Sequence, residues 1–306
     1  MFERILIPLD GSVLAEQALT PAIKIAAHTG AELLLLRSVS KTNSHVLDPA
    51  AYHNFRPAMT YEDRRDQAQE YLYGIVNARK QPEFAMDVII EIGDPATAIV
   101  DTALHEPADL IVMTTHGASG LDRWMFGSVT EKVLRHAPCP VLALRSADLP
   151  KSFLVTLDGS ELAETVIDPA VTIAQAFDAS ITLMRVETPK EAPDWVELKA
   201  LETMDRELAQ HVNVQYEKTV GDYLEKLRVG RLADVGVSVT YDIDRGKPAE
   251  RILEAATRDE CDLIAMSTHG RTGLRRWRYG SVTEKVLRKA KRPMLITRPD
   301  AEVLNA

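Results

Sequence analysis

Short apolar runs alternate along the whole chain with longer stretches in which apolar residues recur at helical spacing. Leu33–Leu36 and Leu110–Met113 are uninterrupted apolar runs, which is typical of strands covered on both faces of a sheet. Strands that alternate with helices predict an α/β fold with a parallel, doubly wound sheet. The predicted strands cover 4–9, 32–38, 85–90, 109–114 and 140–145, and then 152–157, 180–186, 237–243, 262–267 and 293–297.

Serine and proline mark where several helices begin. Ser12 and Ser160 are predicted N-caps, because a serine hydroxyl accepts a hydrogen bond from an amide of the first helical turn. The first turn also tolerates proline, since the missing N–H has no partner to lose there. Two further helices are therefore predicted to begin at Pro95 and Pro248.

Two kinds of feature interrupt the helical pattern. Pro21 and Pro169 fall inside helical stretches, and we expect a kink at both places. Residues 40–59 show little periodicity and are predicted to form an irregular loop, whereas 196–232 form a long charged stretch with helical character.

The chain contains an internal repeat with two copies. Ile5–Ser12 returns as Phe153–Ser160, 148 positions later, and Gly127–Arg135 recurs letter for letter as Gly280–Arg288, 153 positions later. The second copy therefore has five extra residues in its middle (153 − 148). A period of this length indicates domain duplication, because solenoid repeats are only about 20–50 residues long. The predicted domains, each with five strands, are residues 1–147 and 151–300.

The composition adds an acidic charge and very little cysteine. The 306 residues include 36 Lys and Arg against 45 Asp and Glu, a formal net charge of −9, which argues against nucleic-acid or membrane partners. The two cysteines, Cys139 and Cys261, exclude a disulfide scaffold and are interpreted as small core residues of a protein in a reducing compartment. No apolar run is long enough for a membrane helix and no signal peptide is visible, so we expect a cytoplasmic protein.

A glycine-rich segment follows the fourth predicted strand of each copy. Glycines allow backbone N–H groups to approach a phosphate closely, and a helix that begins nearby favours anions. The alternative is that the glycines only shape a turn and the serines only begin a helix. The segment is neither a Walker A loop nor a Rossmann fingerprint. The residues predicted to bind phosphate are Gly117, Gly120, Gly127 and Ser128 in the first copy, and Gly270, Arg271, Gly273, Gly280 and Ser281 in the second.

Asp10 and Asp158 end the first strand of each copy. Ligands of open α/β sheets bind outside the carboxyl ends of the strands, so both carboxylates are predicted to face the same crevices as the glycine-rich segments. A carboxylate at this place could hold a ribose hydroxyl, or a magnesium ion through water.

Together these motifs resemble the universal stress protein family: a strand ending in Asp-Gly-Ser, then Thr-His-Gly, nine residues, and Gly-Ser before Val-Thr-Glu-Lys-Val-Leu-Arg. The resemblance covers nearly the whole chain as a tandem protein. It implies two Rossmann-like domains of the adenine nucleotide alpha hydrolase type, each a five-stranded parallel sheet with helices on both faces. Many members bind ATP and others do not. Thr114 and Ser267 stand where the family's ATP signature has its first glycine.

The two copies also differ from each other in charge. Between 271 and 292 there are nine basic residues and one acid, whereas 118–139 has three basic residues and two acids. Because cationic neighbours stabilise phosphates, we expect the second copy to bind nucleotide more tightly if the two sites differ.

Several other residues are conspicuous without forming a catalytic set. His116 and His269 recur in the glycine-rich segments and are interpreted as turn residues, with a phosphate contact as the alternative. Trp124 and Trp277 recur in the nine-residue spacers, where they either cover the ligand or pack at an interface. The last strand of each copy is expected at a sheet edge, where the two copies can pair within one chain; further association into a homodimer is left open.

The resemblance, together with the phosphate-binding pattern, therefore implies an ATP-binding regulatory protein of the stress response, with ADP or AMP as alternative ligands and an unidentified protein partner. Efficient phosphoryl transfer needs a positioned metal, a base and cationic stabilisers, and the sequence offers few candidates for them. The alternatives are a slow ATP hydrolase and an interaction scaffold without nucleotide.

Overall fold

The computed structural model describes residues 2–40, 60–115, 126–188, 220–258, 261–268 and 280–298. The first half of the chain contains β1 (Arg4–Pro8), α1 (Val13–Glu16), α2 (Leu19–Thr29), β2 (Glu32–Val39), α3 (Tyr61–Arg79), β3 (Met86–Ile92), α4 (Pro95–His105), β4 (Leu110–Thr114), α5 (Ser128–His136) and β5 (Val141–Leu144). The second half repeats this order with β6 (Ser152–Leu157), α6 (Glu161–Glu164), α7 (Ile167–Phe177), β7 (Ser180–Glu187), α8 (220–226), β8 (Val239–Arg245), α9 (Pro248–Arg258), β9 (Leu263–Ser267), α10 (Ser281–Lys289) and β10 (Met294–Thr297). Helix α8 continues as a π-helical turn, Leu227–Arg231.

All ten described strands lie in one sheet, in the order β3-β2-β1-β4-β5-β10-β9-β6-β7-β8. The predicted α/β fold with five strands in each half is confirmed, and each strand lies within two residues of its predicted limits. Every pairing is parallel except the one between β5 and β10, which is antiparallel. A single extended sheet therefore runs through both halves.

The antiparallel seam joins the last strands of the two halves. Leu142 lies opposite Leu295, and both side chains are fully buried. The expected pairing of the two last strands within one chain is thus confirmed. It also removes two sheet edges, which would otherwise expose unpaired backbone groups to other chains.

Each face of the sheet is covered by helices and carries a core that is continuous across the seam. One core contains residues of α2, α3 and α7, with Leu19 and Phe177 among its fully or almost fully buried members. The other contains residues of α4, α5, α9 and α10, such as Val133 and Val286. Continuous apolar runs such as Leu33–Leu36 supply both cores, because successive side chains of a strand point to opposite faces.

The predicted helix starts are confirmed, and the two internal prolines produce breaks. The Ser12 hydroxyl accepts a hydrogen bond from the Ala15 amide at 3.1 Å. Helix α1 nevertheless ends at Glu16, and α2 begins at Leu19. Pro21 therefore lies in the first turn of a new helix, where its lack of an N–H costs no hydrogen bond. The second half repeats this arrangement before Pro169. At both places the two residues between the helices keep helical φ and ψ angles, so the expected kink takes the form of a short turn that links two helices.

Both cysteines are buried, as predicted, and neither is in a disulfide. Burial raises the pKa of the Cys139 thiol to about 12 and that of Cys261 to about 11. We therefore expect neither thiol to react with iodoacetamide in the native protein at pH 8, because roughly one thiol in a thousand or fewer is ionised. Both should react in urea, which intact-mass spectrometry would show. Alkylation of the native protein within minutes would contradict the core assignment.

No helix in the described part of the chain is long and apolar enough to cross a membrane. Residues 41–59 of the predicted loop at 40–59 and most of the charged stretch at 196–232 lie outside the described residues. The same is true of His116, Trp124 and their counterparts His269 and Trp277.

Candidate functional site

A cavity of about 310 Å³ opens at the carboxyl ends of the strands in the first half. Its volume lies at the lower end of the range of small-molecule sites, roughly 300–1,000 Å³. The cavity lies where the strand order turns from β1 to β4, which is the usual ligand position in an open α/β sheet. Its described lining residues are Pro8, Leu9, Asp10, Ala15, Leu36, Ser38, Pro95, Ile99, Met113, Thr114, Thr115, Gly127, Ser128, Val129 and Thr130.

One wall of the cavity is the loop between β1 and α1. Gly11 has a φ of 84°, a left-handed conformation that glycine adopts without strain. The Asp10 carboxylate accepts a hydrogen bond from the Ser12 amide at 2.9 Å. In the second half the Asp158 carboxylate accepts from the Ser160 amide at 3.0 Å. Each aspartate thereby fixes the loop and presents its carboxylate at the end of the strand.

The opposite wall is the beginning of helix α5. The Gly127 amide donates to the Thr115 carbonyl at 2.8 Å, and a Cβ at this position would lie only 3.2 Å from the same oxygen. Gly280 repeats this contact with Thr268, with an amide–carbonyl distance of 2.7 Å and a Cβ approach of 3.3 Å. Glycine is therefore the residue that allows the strand end and the helix start to lie so close together.

The amino end of α5 has no side-chain cap. Gly127 is the N-cap residue and makes no side-chain hydrogen bond to the helix, and the same is true of Gly280 at α10. The amides of a first turn then remain available to an anion, and the helix dipole favours negative charge there. Ser128 and Ser281, the first residues of the two helices, are both exposed and carry hydroxyl groups. This end of each helix has the chemistry of a phosphate site.

The apolar part of the cavity comes from residues on three elements. Leu36 of β2, Ile99 of α4 and Met113 of β4 line it. Ser38, also on β2, closes one end by donating to the Gly93 carbonyl at 2.8 Å. These four residues were not predicted from the sequence, because they become neighbours only when three distant segments pack together.

The equivalent positions of the second half differ in polarity. Thr156 replaces Pro8, and its hydroxyl donates to the Ala265 carbonyl at 3.4 Å. Val186 replaces Ser38. The Ser267 hydroxyl, at the position of Thr114, is buried and has no hydrogen-bond partner in this description of the chain. The second crevice thus contains a buried polar atom that a ligand could satisfy.

The structure brings together three of the predicted site residues of the first half: Asp10, Gly127 and Ser128 line one cavity. The predicted residues Gly117, Gly120, Gly270, Arg271 and Gly273 lie outside the described residues. The described residues contain no group of three or more His, Cys, Asp or Glu side chains that could hold a metal ion. The expected role of Asp10 and Asp158 in holding magnesium through water therefore stays a prediction.

An ion pair connects the two helices that flank the cavity. Asp94 is the N-cap of α4, and its carboxylate accepts from the Thr97 amide at 3.2 Å. Lys132 of α5 lies 3.5 Å from the other carboxylate oxygen. The Thr97 amide, helped by Lys132, holds the pKa of Asp94 below its ordinary value. Asp94 is therefore ionised at neutral pH and ties α4 to α5.

The model of the universal stress protein family matches this chain twice, over residues 1–145 and 150–298. The chain therefore belongs to the universal stress protein family and contains two of its units. A curated relative from Staphylococcus aureus (strain USA300), assigned by its name to the same family, is 31% identical over 167 residues, which cover 53% of this chain and 96% of that protein.

Solved structures share the tandem fold. A universal stress protein from Archaeoglobus fulgidus DSM 4304 superimposes with a TM-score of 0.65 at 19% identity, covering 96% of this chain and 98% of that one. A functionally unknown protein from Pseudomonas aeruginosa PAO1 gives a TM-score of 0.68 at 19% identity, covering 99% of this chain and 95% of that one. At such identities these similarities concern the fold alone.

Proposed function

We propose that this protein binds an adenine nucleotide, with ATP as the leading candidate and ADP or AMP as alternatives, in the crevice of the first half and in its counterpart in the second. The observation that carries this proposal is that one cavity combines three features. It has a carboxylate at the end of β1 (Asp10), an uncapped helix start at Gly127 and Ser128, and apolar walls between them.

Each feature suits one part of such a ligand. The amides at the start of α5 and the Ser128 hydroxyl would bind phosphate oxygens. Asp10 would accept hydrogen bonds from ribose hydroxyls, or would hold magnesium through water. Leu36, Ile99 and Met113 would contact the adenine ring. The glycines at 117, 120, 270 and 273 and Arg271 are proposed to complete the phosphate sites.

We place the protein among cytoplasmic regulators of the stress response that act through an unidentified protein partner. Among the described residues that line the cavity, Asp10 is the titratable one. Rapid phosphoryl transfer depends on several charged groups around the transferred phosphate. The regulatory role is the leading proposal because the sequence offers few candidates for the metal, base and cationic stabilisers of rapid transfer, and a slow ATP hydrolase is the second candidate.

Two measurements test the proposal. The protein as isolated should release an adenine nucleotide when it is denatured and the supernatant is chromatographed, and calorimetric titration of the nucleotide-free protein with ATP should give saturable binding. No released nucleotide together with no heat of binding would favour an interaction scaffold. Phosphate release with magnesium at about 10 per second, the median turnover of enzymes, would instead identify an enzyme.

A further inference from the structure

Each half contains a cluster of four polar residues around the loop that ends β1 or β6. We call these the loop-support clusters. Their members are Asp10, Glu16, Arg37 and Tyr71 in the first half, and Asp158, Glu164, Arg185 and Tyr223 in the second. The arginines lie on β2 and β7, and the tyrosines lie on α3 and α8. Neither cluster was predicted from the sequence.

In the first half, Arg37 contacts both the loop and α3. Its guanidinium carbon lies 4.8 Å from the centre of the Tyr71 ring, within the range of a cation–π contact. A Cβ on Gly11 would lie 2.8 Å from Nη1 of Arg37, so the guanidinium lies against the loop backbone. Leu36 and Ser38 line the cavity, so Arg37 points to the other face of the sheet. Arg37 therefore supports the loop from behind.

Tyr71 holds the same loop through the short helix that follows it. Its hydroxyl donates to the Glu16 carboxylate at 2.9 Å. Burial and Glu16 raise the pKa of Tyr71 well above its ordinary value, Asp10 raises it further and Arg37 lowers it. The phenol is therefore protonated and remains a donor at any physiological pH, and the charges of Asp10 and Arg37 both lie close to it.

The second half repeats the arrangement. The guanidinium carbon of Arg185 lies 5.4 Å from the centre of the Tyr223 ring, and the Tyr223 hydroxyl donates to Glu164 at 2.9 Å. Burial and Glu164 raise the pKa of Tyr223. Asp158 raises it further, and Arg185 lowers it. Arg185 is more deeply buried than Arg37, at 8% exposure.

The repetition of the cluster is informative about its role, because other contacts differ between the two halves. Val39 and Ile92, which pair in the first half, are replaced by the ion pair of Glu187 and Arg245 at 2.9 Å. Burying a cation costs solvation energy that a purely apolar core avoids, and in the second half Arg185 is buried. The arginine–tyrosine–glutamate arrangement is nevertheless present in both halves, and in the first half the arginine also lies against the Asp-Gly-Ser loop.

We infer that Arg37 and Arg185 are positioning residues of the two nucleotide crevices, each holding its Asp-Gly-Ser loop in the shape that presents Asp10 or Asp158 to the ligand. Tyr71 and Tyr223 fix the guanidinium groups from the helix side. This inference rests on the proposed function. It makes nucleotide affinity depend on how α3 and α8 dock on the sheet, although neither arginine touches the ligand.

The first test removes only the two tyrosine hydroxyls. Tyr71→Phe with Tyr223→Phe keeps both rings over the arginines but removes the tyrosine hydrogen bonds to Glu16 and Glu164. We therefore expect ATP to bind about fivefold to tenfold more weakly, which is the size of effect expected for the loss of one hydrogen bond per site. The matched control is Tyr73→Phe with Tyr241→Phe, which changes one exposed tyrosine in each half, at 45% and 40% exposure. The control should bind ATP like the wild type.

The second test asks whether the arginines act through the aspartates. Arg37→Lys with Arg185→Lys keeps the charge but loses the planar contact, and it is combined with Asp10→Asn and Asp158→Asn in a double-mutant cycle. Calorimetric titration should show that the lysine substitutions weaken ATP binding about tenfold alone and less than about twofold once the aspartates are gone. If the lysine substitutions instead weakened binding through a general loss of structure, they would lower the ATP affinity by the same factor with and without the aspartates.

The possible outcomes separate this inference from the proposed function. Wild-type protein that does not bind ATP would overturn both. Wild-type binding with lysine and asparagine effects that multiply would overturn the positioning role of the arginines and leave the proposed function in place. Unchanged affinity in the double phenylalanine variant would overturn the role of the tyrosine hydroxyls. If the lysine variant does not fold, Arg37→Gln with Arg185→Gln takes its place in the cycle, with thermal unfolding without ATP as the folding control.

Discussion

Aspartate in place of Gly127 is expected to weaken ATP binding in the first half at least about a hundredfold, which corresponds to about 2.7 kcal/mol. The new carboxylate would lie at the amino end of α5 and accept hydrogen bonds from the amides proposed to bind phosphate. It would also repel the phosphate charges. The backbone of Gly127, with φ −58° and ψ 154°, suits any residue, so the only strain is the 3.2 Å approach of Cβ to the Thr115 carbonyl.

Aspartate is a favourable helix cap, which should offset part of the cost of moving the Thr115 carbonyl away from the new Cβ, so the variant should still fold, with a lower thermal midpoint than wild type. Calorimetric titration with ATP and thermal unfolding with and without ATP would measure the two effects separately. Gly74→Asp is a matched charge control on the exposed face of α3, where a Cβ meets nothing within 4 Å. Unchanged ATP affinity in Gly127→Asp would contradict the assignment of the phosphate site to the start of α5.

Gly280→Asp makes the same change in the second half, and the two variants together assign the sites. From the basic residues at 271–292, we expect Gly280→Asp to remove the tighter binding. In the described part of that segment, Arg288 and Lys289 lie in the last turn of α10, and Arg288 pairs with Glu284 at 2.8 Å. The expected preference therefore depends mainly on residues 271–278, which lie outside the described residues.

Leu142→Ala at the seam is expected to lower the free energy of unfolding of the whole chain by about 3 kcal/mol, a typical cost of a cavity at a fully buried leucine. Leu142 is opposite Leu295, and both belong to a core that continues through both halves. The substitution should therefore shift a single cooperative unfolding transition of the whole chain to lower urea concentration, and the two halves should not unfold separately.

Urea denaturation followed by far-UV circular dichroism would measure this effect. Leu104→Ala is the matched control, because Leu104 is 58% exposed on α4 and its removal should cost less than about 0.5 kcal/mol. Two separate transitions, with only the first displaced in the Leu142 variant, would show that the halves unfold independently despite the shared sheet.

The sequence was a good guide to those parts of the site that depend on local chemistry. Asp10 follows a strand and Gly127 precedes a helix. In a parallel α/β sheet, the carboxyl ends of the strands and the amino ends of the following helices lie at the same edge, so the order of elements along the chain predicts that both residues and Ser128 lie close together. Leu36, Ser38, Ile99 and Met113 looked like ordinary strand and helix residues, since nothing local distinguishes a cavity wall from a core.

The loop-support clusters also show which contacts the sequence does not predict. Arg37 and Arg185 stand 148 positions apart, as do Glu16 and Glu164, so their repetition was visible in the sequence. The tyrosines follow segments of different length, and their shared role depends on how helices far along the chain pack against the sheet.

By itself, the sequence determined the strands, the helix caps, the duplication and the edge of the sheet at which a ligand would bind, because alternation, capping and repetition are local or one-dimensional signals. The tertiary structure decided the antiparallel seam that unites ten strands, the short turns that divide the helices before Pro21 and Pro169, and the arginine and tyrosine pairs of the two loop-support clusters. These features depend on contacts between residues that are distant in the chain. The free energy of such contacts cannot be inferred from any short segment alone.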